Sequence, residues 1–296
     1  MMSYVSQSIL PKTSPRDVAM KSLDQLPPFS PVLNHLMASL ADEDVSFARL
    51  ADLIERDTVL SGNVLRLVNS ALYGRRGNVS SVRAAVSILG LAKLRNFLLG
   101  FSVSRLWSRI KTPDSWSMAR FNEHALATAL LADRIVQKIP AEYPEGAFAA
   151  GLLHDLGRLM IATALPEEHL RIHAMYAASG KPLEQCEYAH IDISHAELSA
   201  AALGKWNLPA PIQKAVLYHH QPDLDPARHT LPHSSLSLVV AVANAVANAT
   251  SHAITDQDEQ GAPDPKESFS RLKLAHDTDA ILASFEEDLQ PLKASL

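Results

Sequence analysis

Apolar residues recur every three to four positions along most of the chain, with polar residues between them, the signature of amphipathic helices. The pattern opens at Pro31-Val32-Leu33 and runs through Leu36, Met37 and Leu40; a second, Phe47-Leu50-Ala51-Ile54, follows Ser46. Asp57-Thr58 supplies the cap of a third, Val59-Leu60-Val64-Leu65-Val68, which continues to Tyr73 before Gly74 and Gly77 punctuate a loop. Asn69 and Tyr73 belong to that helix end, with Asn69 satisfying backbone groups. The period resumes at Val82 and passes through Val86, Leu89, Leu94, Phe97, Leu98, Phe101 and Leu106 to Trp107, with Gly90 marking a joint and Gly100 a close contact.

Thr112-Pro113-Asp114 is a turn signal and sets a seam at Lys111–Ser115. Beyond it, helices are predicted at about Trp116–Lys138, Pro144–Ala164, Glu167–Ser179, Pro182–His190, Ser194–Trp206, Pro211–His220 and Ser235–Ala249. Runs of period two never exceed a few residues, so the predicted fold class is all-α, built as two stacked helical units. The expected organisation is a flexible leader over residues 1–17, an amino-terminal helical subdomain over 18–111 and a second helical subdomain over 112–254. Residues 255–296 read as a polar loop, Asp256–Lys266, followed by an amphipathic helix from about Ser268 to Leu289.

A hydrophobic fraction of 47% is enough for a sizeable core. The balance of 27 Lys+Arg against 32 Asp+Glu gives a net charge of −5, which argues against a protein that coats nucleic acid. Arg66, Arg75, Arg76, Arg83, Lys93 and Arg95 form a modest local excess of positive charge; without interleaved aromatic residues, that cluster reads as a solvated face. One cysteine, Cys186, excludes an internal disulfide and agrees with a reducing compartment, so the cytoplasm is the expected location. The most apolar run, Leu236–Ala249, is shorter than the roughly 20 residues of a membrane span and reads as a core helix.

Thirteen histidines then change the picture, because several fall on apolar faces. His124 lies in the stripe Phe121, Thr128, Leu131, Ile135, and Asp155 in the stripe Phe148, Leu152, Leu159, next to His154. A buried carboxylate is costly unless it is paired or coordinating. Ser194-x-x-Glu197 is a capping box that places His195 at a helix start. His219 shares the face of Ile212, Ala215 and Val216, with His220 beside it; Asn244 sits in the apolar run. Each alone fits a hydrogen-bonded core histidine. Six together, His124, His154, Asp155, His195, His219 and His220, have the composition of a metal site in a bundle core.

These residues resemble the HDOD group, the non-standard relatives of HD-domain phosphohydrolases. On the amino-terminal side the resemblance rests on Leu26-Pro27, Asp57, Leu60, the string from Leu65 to Ala71, Tyr73 and Ile88-Leu89-Gly90. On the carboxyl-terminal side it rests on Gly151-Leu152-Leu153-His154-Asp155-Leu156-Gly157, His195-Ala196-Glu197, Trp206-Asn207-Leu208-Pro209, His219-His220 and Val242-Ala243-Asn244. The resemblance implies an HD-like helical bundle, with an amino-terminal helical subdomain packed on a carboxyl-terminal HD-like one. It also implies a bacterial signalling or regulatory role exerted through a protein partner. The catalytic cousins of the HD-GYP type, cyclic di-GMP phosphodiesterases, use a ladder of His, His-Asp, His, His-His and a final Asp around two metals. His124, His154, Asp155, His195, His219 and His220 match that ladder in order, and Asn244 stands where the final Asp is expected.

By that resemblance one metal would take His124, His154, Asp155 and the missing carboxylate, the other Asp155, His195, His219 and His220. With one carboxylate among six ligands, a single divalent ion is the easier electrostatic solution; iron, manganese, zinc, nickel and magnesium are the candidates. Arg158 replaces a common lysine, and Gln221-Pro222-Asp223 follows the His pair without the Gly-Tyr-Pro loop. The expected function is a non-catalytic signal-transduction module that retains a structural or sensing ion. A metal-dependent phosphohydrolase acting on a nucleotide or phosphodiester is the alternative, and nucleic-acid binding a disfavoured third.

Overall fold

A computed structural model describes residues 13–38, 47–69, 79–229 and 233–293. The leader as far as Lys12, Tyr73, the loop at Gly74 and Gly77, and Arg75 and Arg76 lie outside them. Among the described residues every regular element is helical, and β-type pairing is confined to an isolated parallel bridge between Ala141 and Ser234.

The amino-terminal half contains α1 (Pro15–Ser22), α2 (Pro31–Ala38), α3 (Phe47–Glu55), α4 (Thr58–Val68), α5 (Val82–Leu89) and α6 (Leu91–Trp107). Helix α1 begins inside the stretch read from sequence as leader, because Ser14 and Asp17 form a capping box and Pro15 suits the first turn. It packs on the carboxyl-terminal half, where Arg16 donates to the carbonyl of Asp192 at 2.6 Å. The Asn69 amide is tied to Val79, ten positions on: it donates to the carbonyl of Val79 at 2.9 Å and accepts from the Val79 N–H at 2.8 Å. At the joint, Gly90 takes φ +78°, and α5 and α6 meet at 113°.

After a turn in which the Trp116 N–H donates to the Pro113 carbonyl come α7 (Met118–Val136), α8 (Ala147–Leu153), α9 (Leu156–Ala164) and α10 (Pro166–Ser179). There follow α11 (Leu183–Ile191), α12 (His195–Lys205), α13 (Ala210–Tyr218) and α14 (Leu236–Ala249). Helix α7 is the axis: it packs against α8, α14 and the terminal α17 (Thr278–Lys293). Helix α14 is buried along most of its length, as its uniform apolarity requires. Among the described residues, no single helix is long and apolar enough to cross a membrane.

Two stretches depart from the sequence reading. The predicted helix Pro144–Ala164 is a 3-10 turn at Pro144–Gly146 followed by α8 and α9, with the chain leaving helical geometry at Asp155 (φ −101°, ψ 13°). The predicted loop Asp256–Lys266 contains α15 (Asp256–Gln260) and the start of α16 (Pro265–Ser270), each capped by a side chain, Thr255 and Asp264. The last helix starts at Thr278, not Ser268, because a 3-10 turn at Ala275–Asp277 intervenes.

Candidate metal centre

The two glycines that flank the His-Asp pair let two pairs of helices meet closely. A methyl group on Gly151 would lie 2.8 Å from the Ala129 Cα, and one on Gly157 only 2.1 Å from the His195 carbonyl oxygen. Helix α8 thus lies tight on α7, and the start of α9 tight on the start of α12. The Gly157 N–H donates to Ser199 Oγ at 2.7 Å across the second contact.

All six sequence-predicted residues converge there. His124 comes from α7, His154 and Asp155 from the α8–α9 junction, His195 from the first position of α12, and His219 and His220 from the chain just after α13. The first five are buried; His220 sits at the mouth, its side chain 28% exposed. Asp155 is central. Its Oδ1 lies 3.5 Å from His154 Nε2, 3.3 Å from His195 Nε2 and 3.6 Å from His219 Nε2, and its Oδ2 lies 3.6 Å from His124 Nε2.

The outer ring nitrogens are anchored. Nδ1 of His124 donates to the carbonyl of His252 at 2.8 Å, that of His154 to Gly151 at 2.7 Å and that of His219 to Val216 at 2.7 Å. His195 Nδ1 donates to the Glu187 carboxylate at 2.8 Å, and His220 Nδ1 lies 3.5 Å from Glu184. A proton on Nδ1 leaves Nε2 as a bare lone pair, which is how proteins present imidazole to a metal. The Nε2 atoms of His195 and His220 are 2.8 Å apart, and those of His124 and His154 3.2 Å. Lone pairs so close repel unless a proton or a metal ion lies between them.

The electrostatics divide the histidines. Burial alone would lower the basicity of His195, but Glu187 and Asp155 outweigh it and hold the imidazole up to about 10, so in the ion-free protein its Nε2 carries a proton that a bound cation would displace. Burial pushes His124 down and His154 well down. Burial also opposes ionisation of Asp155, yet His154 and Arg158 keep its carboxyl well below the usual range. Asp155 Oδ1 and His219 Nε2 are buried without a hydrogen-bond partner, and both point into the cluster. Atoms so placed cost about 1–3 kcal/mol each, a cost that a coordinated cation removes. The donor set therefore fits a divalent ion. Asp155, His195, His219 and His220 each bring a ligand atom within 4.8 Å of the others, and His124, His154 and Asp155 form an overlapping set.

Several contributors were not singled out as site residues from the sequence. Arg158 donates to Asp155 Oδ2 at 3.2 Å and to Asp258 Oδ2 at 2.8 Å, and Tyr176 donates to Asp258 Oδ1 at 3.2 Å. The Thr255-x-x-Asp258 capping box was a legible signal for α15, but nothing local says that its acid reaches Arg158. Glu187 looks like a solvated charge on α11 and is 2% exposed. Asn244 accepts from Asn248 at 3.1 Å, and with His219, His220, Arg158 and Arg271 it lines a pocket of about 270 Å³ that opens onto the centre.

The chain matches the HDOD domain over residues 26–222. A curated relative from Treponema pallidum (strain Nichols), described as an uncharacterized protein, is 28% identical over 202 residues. That match spans 67% of this chain and only 38% of the relative. An HDOD domain protein of unknown function from Geobacter sulfurreducens has a similar structure, with a TM-score of 0.72, 24% identity and coverage of 92% of this chain and 97% of the other. A chain from Shewanella amazonensis SB2B, provisionally named a phosphohydrolase, has a TM-score of 0.71, 21% identity and coverage of 94% and 98%. A chain from Marinobacter aquaeolei VT8, provisionally named a signal transduction protein, has a TM-score of 0.66, 19% identity and coverage of 93% and 65%. At such identities the structures speak for the fold, and the sequence match, covering most of the chain and including all six ligand-type residues, places this protein in the HDOD domain family.

Proposed function

We propose that the chain is a regulatory HDOD module that holds one divalent ion at Asp155, His195, His219 and His220 and signals through a protein partner without hydrolysing a substrate. The observation that carries this reading is the way the Asp155 carboxylate is divided. Oδ1 faces the His154, His195 and His219 Nε2 atoms, whereas Oδ2, which lies 3.6 Å from His124 Nε2, accepts from the Arg158 guanidinium at 3.2 Å. A fixed positive charge on the one carboxylate shared by both ligand sets opposes a second ion beside His124 and His154. The buried charges point the same way. Asp155, Asp258 and Glu187 carry three negative charges and Arg158 one positive charge, all buried. A bound ion displaces the Nε2 proton of His195, so the remainder is two negative charges, which one divalent ion neutralises and two would overshoot in a low-dielectric interior.

Three imidazoles and a carboxylate suit zinc, iron or nickel better than magnesium, which prefers oxygen. When bound, the ion supplies a Lewis-acidic cross-link; the chain's own residues do the positioning. Glu187 orients His195, the Val216 carbonyl orients His219, and Arg158 ties the α8–α9 junction to α15. Occupancy would thus be felt by α9, α12, α13 and α15 together, a mechanism by which a bound ion sets the surface that a partner meets.

One feature favours a second reading. The 270 Å³ pocket gives a small molecule a route to His219 and His220 past Arg158 and Arg271, as a metal-dependent phosphohydrolase would need. The test purifies untagged protein without chelator, measures metal by elemental analysis, then adds manganese or iron(II) and follows cyclic di-GMP, other cyclic nucleotides and generic phosphodiesters. One ion per chain without turnover is expected. Turnover abolished by Asp155→Ala would replace this reading with the hydrolase. Asn244→Asp should raise metal stoichiometry towards two if the final-ligand position is correctly aligned.

A further inference from the structure

A second opening, of about 520 Å³, lies outside the histidine cluster. It is bounded by Lys138 and Ile139 after α7, by Ser234 and Ser235 at the start of α14, and by the turn from Arg271 to Asp277 between α16 and α17. The frame is well tied. Ala141 and Ser234 form the parallel bridge, and the Glu142 N–H donates to the Ser234 carbonyl at 2.9 Å. Ser235 caps α14, so the positive end of a 14-residue helix is directed at the opening.

Its charge is one-sided. Lys138, Arg271 and Lys273 are exposed on its lining, and their side chains make no ion pair with a described residue. Arg228 also lines it and is paired with Asp223. Asp277 is the single acid among the described residues of the lining, and His276 lies 3.0 Å from it. In a chain of net charge −5, three uncompensated cations around one cavity are not explained by packing.

The local backbone fixes where one of these cations sits. Lys273 takes φ +60° as the left-handed residue that closes the turn after α16: its N–H donates to the Ser270 carbonyl at 2.9 Å, and the Leu274 N–H donates to the Phe269 carbonyl at 3.0 Å. Its neighbours Leu272 and Leu274 are both buried, while Lys273 is exposed and lines the opening. Ile139 and Leu238 supply half-buried apolar surface inside the cationic rim.

We propose that this cleft binds a nucleotide, with Lys138, Arg271 and Lys273 on its phosphates and the apolar surface of Ile139 and Leu238 against its base. The volume lies within the range of small-molecule pockets, about 300–1,000 Å³, and a cationic rim around an apolar patch matches an anionic head on a flat, poorly hydrated ring. Arg271 also borders the opening beside His219 and His220, whereas Lys138 and Lys273 do not, and the site does not depend on the proposed ion.

The test uses the full chain stripped of metal by chelator and titrated calorimetrically, at 0.1 M salt, with the four ribonucleoside triphosphates, inorganic triphosphate and a single-stranded oligonucleotide. Saturable binding of one nucleotide per chain is expected, tighter than that of inorganic triphosphate. It should weaken at least tenfold in Lys138→Glu/Lys273→Glu and stay unchanged in Asp155→Ala. Lys273→Gly removes the ammonium group while suiting the backbone, so it should also weaken binding without lowering Tm. Several results would overturn the proposal: no saturable binding by any nucleotide, inorganic triphosphate bound equally well, indifference to charge reversal, or loss of binding in Asp155→Ala. A strong preference for the oligonucleotide would overturn it too, in favour of a nucleic-acid surface.

Discussion

Glu187 grips His195 at two points: its carboxylate accepts from the His195 backbone N–H at 2.8 Å and from the ring Nδ1 at 2.8 Å. One buried acid therefore caps the start of α12 and fixes the tautomer and direction of a candidate ligand. Replacing Glu187 with Gln keeps the volume and removes the charge. Metal affinity should fall about 10- to 100-fold, as for other partners that orient ligating histidines, measured by competition with a chromophoric chelator. Unchanged affinity would show that His195 is not a ligand.

Arg158 stands between Asp155 and Asp258 in the interior. Arg158→Met should destabilise the ion-free protein by about 3–5 kcal/mol, because two buried carboxylates lose their counter-charge. Adding Asp258→Asn should recover part of that loss, as read from urea midpoints. If the two changes are simply additive, the buried chain of charges is not coupled.

The contact at Gly157 is between main chains, and no rotamer can relieve it. Gly157→Ala should cost about 1–3 kcal/mol or more by overpacking, seen as a lower Tm, and should loosen metal binding by separating α9 from α12. A variant as stable as the parent would mean that α9 and α12 do not meet as described.

Two histidines outside the cluster set a pH dependence. His169 and His173 on α10, with rings 4.4 Å apart, are held neutral by burial and then by Arg158, down to about 4 and about 3. In the unfolded chain they take up protons near 6.5. Below that pH the unfolded state binds protons that the native state does not, so their contribution to stability is present above about 6.5 and is lost as pH falls towards 4 and 3. Tm should drop as pH falls from 6.5 to 4.5, and less steeply in His169→Gln/His173→Gln. Parallel slopes would assign the acid sensitivity elsewhere.

Helical period disclosed the all-α class, the inward faces of α7 and α14, and His124, Asp155 and His219, because which side of a helix is buried is written into residues three and four apart; the Ser194 capping box added His195, and His154 and His220 stand beside Asp155 and His219. The period could not show the break at Asp155. A one-residue departure barely disturbs the period, and what favours it is the Gly157 backbone lying against the His195 carbonyl, 38 positions away in the chain. The same limit hid α15 and α16, whose short polar sequences are helical through caps and through packing on α14.

The chain's own pattern thus determined the elements and the ligand-type side chains on their inner faces. Tertiary structure alone decided that Glu187 would turn inward to His195, that Asp258 would neutralise Arg158, and that three cations would ring an opening beside α14. The physical reason is one of range. Propensity, capping and amphipathic period act within a few residues, whereas burial of a charge, and hence its role, depends on which distant helix covers it.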